Sequence, residues 1–151
     1  MTRAEKAIEL FENGANCAQA VCGAFADLMG LDEKTALRLS APFGGGLGRQ
    51  REVCGAVSGM CMVAGMLYGY DVLDDDRIKG EHYRLIQSLC DAFRAQYGTI
   101  ICRELLQTKK VSDTPVPTPR TEEYYRTRPC ARQVGTAAEI IERYIEAHPI
   151  L

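Results

Sequence analysis

Seven cysteines occur in the 151 residues, and four of them fall where the sequence starts a helix. Cys17 follows Asn16, a good N-cap, and Cys54 opens an apolar run after a glycine-rich loop. Cys102 lies three residues beyond Thr99, a second good cap, and Cys130 follows Pro129, a residue type favoured in a first helical turn. A helix N-terminus carries roughly +0.5 charge and unpaired N–H donors. A thiol placed there is shifted toward thiolate, the form that attacks as a nucleophile and binds metal. Cys17, Cys54, Cys102 and Cys130 are therefore the candidate redox centres and the candidate metal ligands. Cys54 is expected to be the most reactive, because it joins a long helix to the glycine loop beside Arg49 and Arg51. Cys22, Cys61 and Cys90 fall inside predicted helices, where cysteine packs as a small hydrophobe and is dispensable for holding a cofactor.

The elements that position these residues read as helical throughout. Thr2 and Glu5 make a capping box for a first helix that Gly14 stops. A second helix is predicted from Cys17 to Met29, with Val21, Phe25 and Leu28 on one stripe and Gly30 closing it. Asp32 caps a third, ended by Pro42. The loop Gly44-Gly45-Gly46-Leu47-Gly48 comes next and leads into a glycine-studded helix over Val53–Tyr70. A long helix follows from Asp74–Asp76 to Tyr97, then a short one from Thr99 to Leu106, and a last one from Pro129 to Ala147. Pro115, Pro117 and Pro119 make residues 108–120 an extended linker, expected to cross the bundle surface and return Cys130 to the other cysteines. No segment alternates with period two, so the expected fold is all-α, a compact bundle of six or seven helices forming one domain over residues 1–151. His82 and His148 are expected at the surface.

Composition narrows the function. The apolar fraction is 46% and the charged fraction 25%, ordinary for a globular protein. The net charge of −2 gives no bulk attraction to nucleic acid. The segment Val53–Tyr70 is nearly uncharged, but Gly55, Gly59, Gly65 and Gly69 break it, and it reads as a buried central helix instead of a membrane span. Its two Gly-x-x-x-Gly pairs, Gly55/Gly59 and Gly65/Gly69, invite a second helix backbone, either in the bundle or in a homodimer. The N-terminal residues have no secretory h-region, so a cytoplasmic location is expected. Cysteine enrichment in that compartment points to metal binding or redox chemistry over structural disulfides. No Cys-x-x-Cys occurs, which argues against a thioredoxin-type dithiol and most zinc ribbons. The glycine loop lacks the dinucleotide fingerprint and the Lys-Ser/Thr ending of a P-loop. Gly44, Gly45 and Gly46 are expected to bring backbone N–H groups close to a cofactor, with Gly55 and Gly59 beside it.

Asn16-Cys17-Ala18-Gln19-Ala20-Val21, Gly44-Gly45-Gly46, Cys54-Gly55-Ala56-Val57-Ser58-Gly59, Cys102-Arg103-Glu104-Leu105 and Pro129-Cys130 occur in that order. In this the chain resembles the C_GCAxxG_C_C family of redox-active proteins, over most of its length. The family name writes Gly-Cys-Ala where this chain has Cys54-Gly55-Ala56, with the alanine and the distal glycine in register. The resemblance implies a small cytoplasmic protein whose four cysteines serve as redox centres or as iron–sulfur ligands. It also implies electron exchange with a redox partner protein or a small-molecule acceptor. Two alternatives stay open at this point: a metal-free thiol–disulfide protein, and a zinc-stabilised module without catalysis.

Overall fold

The computed structural model describes residues 1–107 and 114–150. The described part is all-α: α1 (Arg3–Glu12), α2 (Cys17–Ala24), α3 (Glu33–Ser40), α4 (Gly55–Tyr68), α5 (Asp76–Tyr97), α6 (Cys102–Leu105), α7 (Glu122–Thr127) and α8 (Cys130–Ala147). A 3₁₀ turn, Ala41–Phe43, follows α3 and runs into the helical turn Gly44–Leu47. The only β pairing among the described residues is an isolated antiparallel bridge between Val53 and Ile101.

The helix starts follow the expected chemistry. Thr2 and Glu5 form a capping box on α1, and Asn16 and Gln19 form another on α2. Asp32 and Asp75 accept from the first-turn amides of α3 and α5. Each such cap satisfies an otherwise orphaned donor and contributes about 1 kcal/mol. α2 ends at Ala24, five residues short of the expected Met29, and the chain continues through turns to Gly30 at φ +71°. Phe25 stays in the core, whereas Leu28 is 40% exposed, because the helical stripe no longer carries it inward. α6 begins at Cys102, not at Thr99. The Thr99 hydroxyl instead accepts from the Ile101 amide at 3.1 Å and pairs with Glu104. α7 was not expected. Its signal is Thr121, which caps it, followed by Glu122 and Glu123 in the first turn.

One hydrophobic cluster joins α1, α2, α4, α5 and α8, with Phe11, Phe25, Met60, Phe93 and Ile141 at its centre. α8 lies along α1, and α2 along α4. The second contact depends on missing side chains: a Cβ on Gly59 would sit 2.8 Å from the Ala18 carbonyl oxygen. A Cβ on Gly55 would sit 2.9 Å from the Phe43 oxygen and 3.2 Å from the Cys17 Cβ. The Gly55/Gly59 pair is thus the surface on which α2 rests. Gly65 has open space where its Cβ would be, and Gly69 caps the helix end, so the second pair makes no close helix contact among the described residues. His82, expected at the surface, is half-buried with its ring against Tyr70. No described helix is long and apolar enough to cross a membrane. Of the 108–120 linker, residues 108–113 lie outside the described residues, and residues 114–120 form neither helix nor strand.

Candidate functional site

Cys17, Cys54, Cys102 and Cys130 line one cavity of about 290 Å³. Three of the four are buried and Cys17 is half-buried, and all seven cysteines are free. Three of the site cysteines occupy the first residue of a helix: Cys17 of α2, Cys102 of α6 and Cys130 of α8. Cys54 is the residue before α4, in the N-cap position.

Three local structures bring them together. The Asn16 cap sets the start of α2, and its side-chain amide also donates to the Ala41 oxygen at 3.1 Å. The Val53–Ile101 bridge joins the two middle cysteines: the Cys54 amide donates to the Ile100 oxygen at 2.7 Å, and the Cys102 amide to the Glu52 oxygen at 2.6 Å. The last helix returns Cys130 by packing α8 on α1 and α2. Arg120 fastens the segment before it, donating to the Phe11 oxygen at 2.9 Å and the Ala15 oxygen at 3.1 Å, with its guanidinium 4.3 Å from the Phe11 ring centre.

The glycine loop forms the floor. Gly45, Gly46, Leu47, Gly48, Arg49 and Arg51 all hold positive φ. For the three residues other than glycine this costs roughly 1–2 kcal/mol each, a local strain that a functional loop often carries. Gly46 is irreplaceable on two counts, since φ is +72° and a Cβ would sit 2.6 Å from the Glu52 nitrogen and 2.8 Å from the Cys102 Cβ. Gly44, Gly45, Gly46 and Gly55 line the cavity, whereas Gly59 lies off it, in the α2–α4 contact. The amides of Gly48, Arg49, Arg51 and Glu52 donate to carbonyls of Pro42, Gly44, Gly45 and Gly46, so these four do not face sulfur.

Charge is one-sided. Arg49, Arg51, Arg120 and Arg128 line the cavity, and no carboxylate does among the described residues. Arg51 is 8% exposed, and its Nη1 lies 3.7 Å from the Cys102 Sγ. Arg49 and Arg128 both donate to the Thr118 hydroxyl, and Arg128 stacks on Tyr124. Sequence reading reached Arg49 and Arg51 but not Arg120 and Arg128, which flank α7 and are carried to the site by a segment without helical periodicity.

The thiols respond differently. Cys17 and Cys130 shift each other in opposite directions: the Cys17 thiol is raised, first by its hydrogen-bonding interaction with Cys130 and then by burial. The Cys130 thiol is lowered to about 7 by that bond, with help from Arg128, Arg51 and Arg120. Burial pushes the Cys54 thiol up to about 12, although the first-turn amides of Val57 and Ala56 oppose it. Burial also raises Cys102, with Arg51 opposing. The expectation that Cys54 is the reactive thiol is therefore corrected: its helix N-terminus acts, but desolvation outweighs it, and of the four cavity thiols Cys130 is the one poised near neutrality.

The family model described as "Putative redox-active protein (C_GCAxxG_C_C)" matches residues 15–144. The chain belongs to this C_GCAxxG_C_C family. The match spans all four cavity cysteines and the glycine loop. Searches of curated proteins and of solved structures found no match. Among the described residues, no three of His, Cys, Asp and Glu stand close enough together to hold a single metal ion. All four C_GCAxxG_C_C cysteines of this chain line the same cavity.

Proposed function

We propose that Cys17, Cys54, Cys102 and Cys130 form one electron-transfer centre that holds an iron–sulfur cluster. The observation that carries this reading is four thiols and four arginines around one cavity with no carboxylate among its described lining. Four thiolates suit an iron–sulfur core, which when bound supplies one-electron chemistry. The arginines offset the negative charge that four thiolates bring, and Arg51 donates toward the Cys102 sulfur, a contact of the kind that tunes reduction potential. The basic rim would take electrons from, or pass them to, a redox partner protein with an acidic face or a small anionic acceptor. Seven cysteines without a disulfide suit a reducing cytoplasm.

The test is anaerobic purification with iron and sulfide analysis. The expected product is brown, contains both elements, and loses them when any of the four cysteines is changed to serine but not when Cys22 is. A colourless protein that takes up neither element on anaerobic reconstitution overturns the reading. A second reading, a metal-free thiol–disulfide protein, is favoured by the presence of Cys17 and Cys130 in one cavity, with the Cys130 thiol lowered to about 7 and the Cys17 thiol raised. In that case the colourless protein would show a Cys17–Cys130 disulfide that cycles with a dithiol reductant.

A further inference from the structure

Three guanidiniums converge in the wall of the cavity, and no carboxylate among the described residues meets them. Arg49 and Arg51 pass each other over Gly45: a Cβ there would sit 2.9 Å from the Arg49 Cγ and 3.6 Å from the Arg51 Nη1. Arg49 and Arg128 both donate to the Thr118 hydroxyl, at 3.2 Å and 3.4 Å. Each is held from behind. Arg49 stands on backbone at φ +67°, and the Arg128 Cζ lies 5.0 Å from the Tyr124 ring centre. Arg51 is 8% exposed, and the Cys102 sulfur is its one side-chain partner among the described residues. Arg120, the fourth arginine of the cavity, is committed to the Phe11 and Ala15 carbonyls. Like charges so close repel, and burial adds to the cost. Arg49 shows both effects: desolvation, and then the charges of Arg51 and Arg128, hold its pKa below the usual guanidinium value. An anion bound among the three would offset that repulsion.

We propose that Arg49, Arg51, Arg128 and Thr118 form an oxyanion subsite beside the four thiols, and that its ligand is a tetrahedral dianion of the phosphate or sulfate type. Planar guanidinium forks match the oxygens of such a group two at a time, and three positive charges exceed what a single carboxylate offsets. A guanidinium carries five N–H donors, and the bonds of Arg49 and Arg128 to Thr118 use one from each. The Thr118 oxygen accepts from both arginines, which leaves its O–H to donate to the same ligand. Arg51 joins the two parts of the cavity, with Nη1 at the Cys102 sulfur and its charge shared with the subsite. The ligand is either the free ion or the phosphate head of a small organic molecule. As a binding site the subsite needs no cluster. As the seat of an electron acceptor it rests on the electron-transfer reading above.

The test uses the full chain, reduced and assayed for iron, titrated by calorimetry at constant ionic strength with inorganic phosphate, phenyl phosphate and chloride. Saturable binding of phosphate but not of chloride is expected. Binding of inorganic phosphate alone marks the free ion as the ligand, and tighter binding of phenyl phosphate marks an organic phosphate. Arg49→Gln and Arg128→Gln should each weaken binding about tenfold, the loss of one charge-assisted hydrogen bond. Arg77→Gln and Arg143→Gln remove the same charge from exposed ion pairs and should leave binding unchanged. No saturable binding of either phosphate overturns the proposal. Equal weakening by all four variants also overturns it, since bulk charge would then be the cause. Phosphate binding by a chain free of iron supports the subsite, so failure of the cluster reading leaves it intact. Should a variant fail to fold, the wild type decides the question. Phosphate should protect Arg49 and Arg128, but not Arg77, from phenylglyoxal, as mapped by mass spectrometry. Equal modification with and without phosphate overturns the proposal.

Discussion

Arg51 places its Nη1 3.7 Å from the Cys102 Sγ while its own backbone holds φ at +62°. The strained backbone and the buried charge belong together, because only this loop path carries a guanidinium beneath the sulfur. Arg51→Ala keeps the bend and removes the charge. In the metal-free protein the Cys102 thiol should then titrate still higher, read as a rise in the pH midpoint of its alkylation. In a loaded protein the reduction potential should fall, since a nearby cation favours the more negative, reduced state. Voltammetry of wild type and Arg51→Ala checks the sign, and an unchanged potential would show that the contact is only structural.

Gly46 and Gly65 should respond oppositely to alanine. Gly46→Ala forces a left-handed φ on a residue with a Cβ and drives that atom into the Glu52 backbone and Cys102. A loss of about 2 kcal/mol or more is expected in urea unfolding. Gly65 sits inside α4 with open space around the added carbon, so Gly65→Ala should gain about 0.5–1 kcal/mol.

The metal-free protein should show a stability optimum set by its thiols. The Cys130 pKa is depressed to about 7 in the fold, so its contribution is complete above the ordinary thiol value and is lost as pH falls through about 7. Cys54 is raised to about 12, so the unfolded chain releases that proton first, and its effect turns against folding between the ordinary value and about 12. Such a thiol costs about 1.4 kcal/mol per pH unit across that window. Unfolding free energies measured from pH 6 to 11 should therefore rise and then fall, and alkylation should reach Cys130 long before Cys54.

Arg120 should act as a clasp. Its guanidinium donates to the carbonyls that end α1 and precede α2, and it stacks on Phe11. Arg120→Ala should cost about 2 kcal/mol, a fall of roughly 4–8 °C in Tm. The same variant should increase proteolysis within residues 114–120, because that segment loses its anchor.

The helix starts were legible because each is written in one or two residues. Asn16 before Cys17, Asp32 before α3 and Asp75 before α5 act locally, and local geometry survives packing. Glycine spacing correctly marked α4 as the helix that another backbone approaches at Gly55 and Gly59. The ranking of thiol reactivity was not legible. A helix dipole can be inferred from sequence, whereas the burial that overrules it at Cys54, and the Cys17 donor that favours Cys130, come from residues far apart in the chain.

The Val53–Ile101 bridge sets an order of assembly. Cys54 and Cys102 are joined by a short backbone ladder between nearby parts of the loop layer. Cys17 and Cys130 meet only when the eighth helix lies down on the first and second. During synthesis Cys130 emerges last, so a chain still on the ribosome carries only three of the four cavity thiols. The complete cavity exists only in a finished fold, so a cluster held as proposed would be acquired only by a chain that has passed its own folding test.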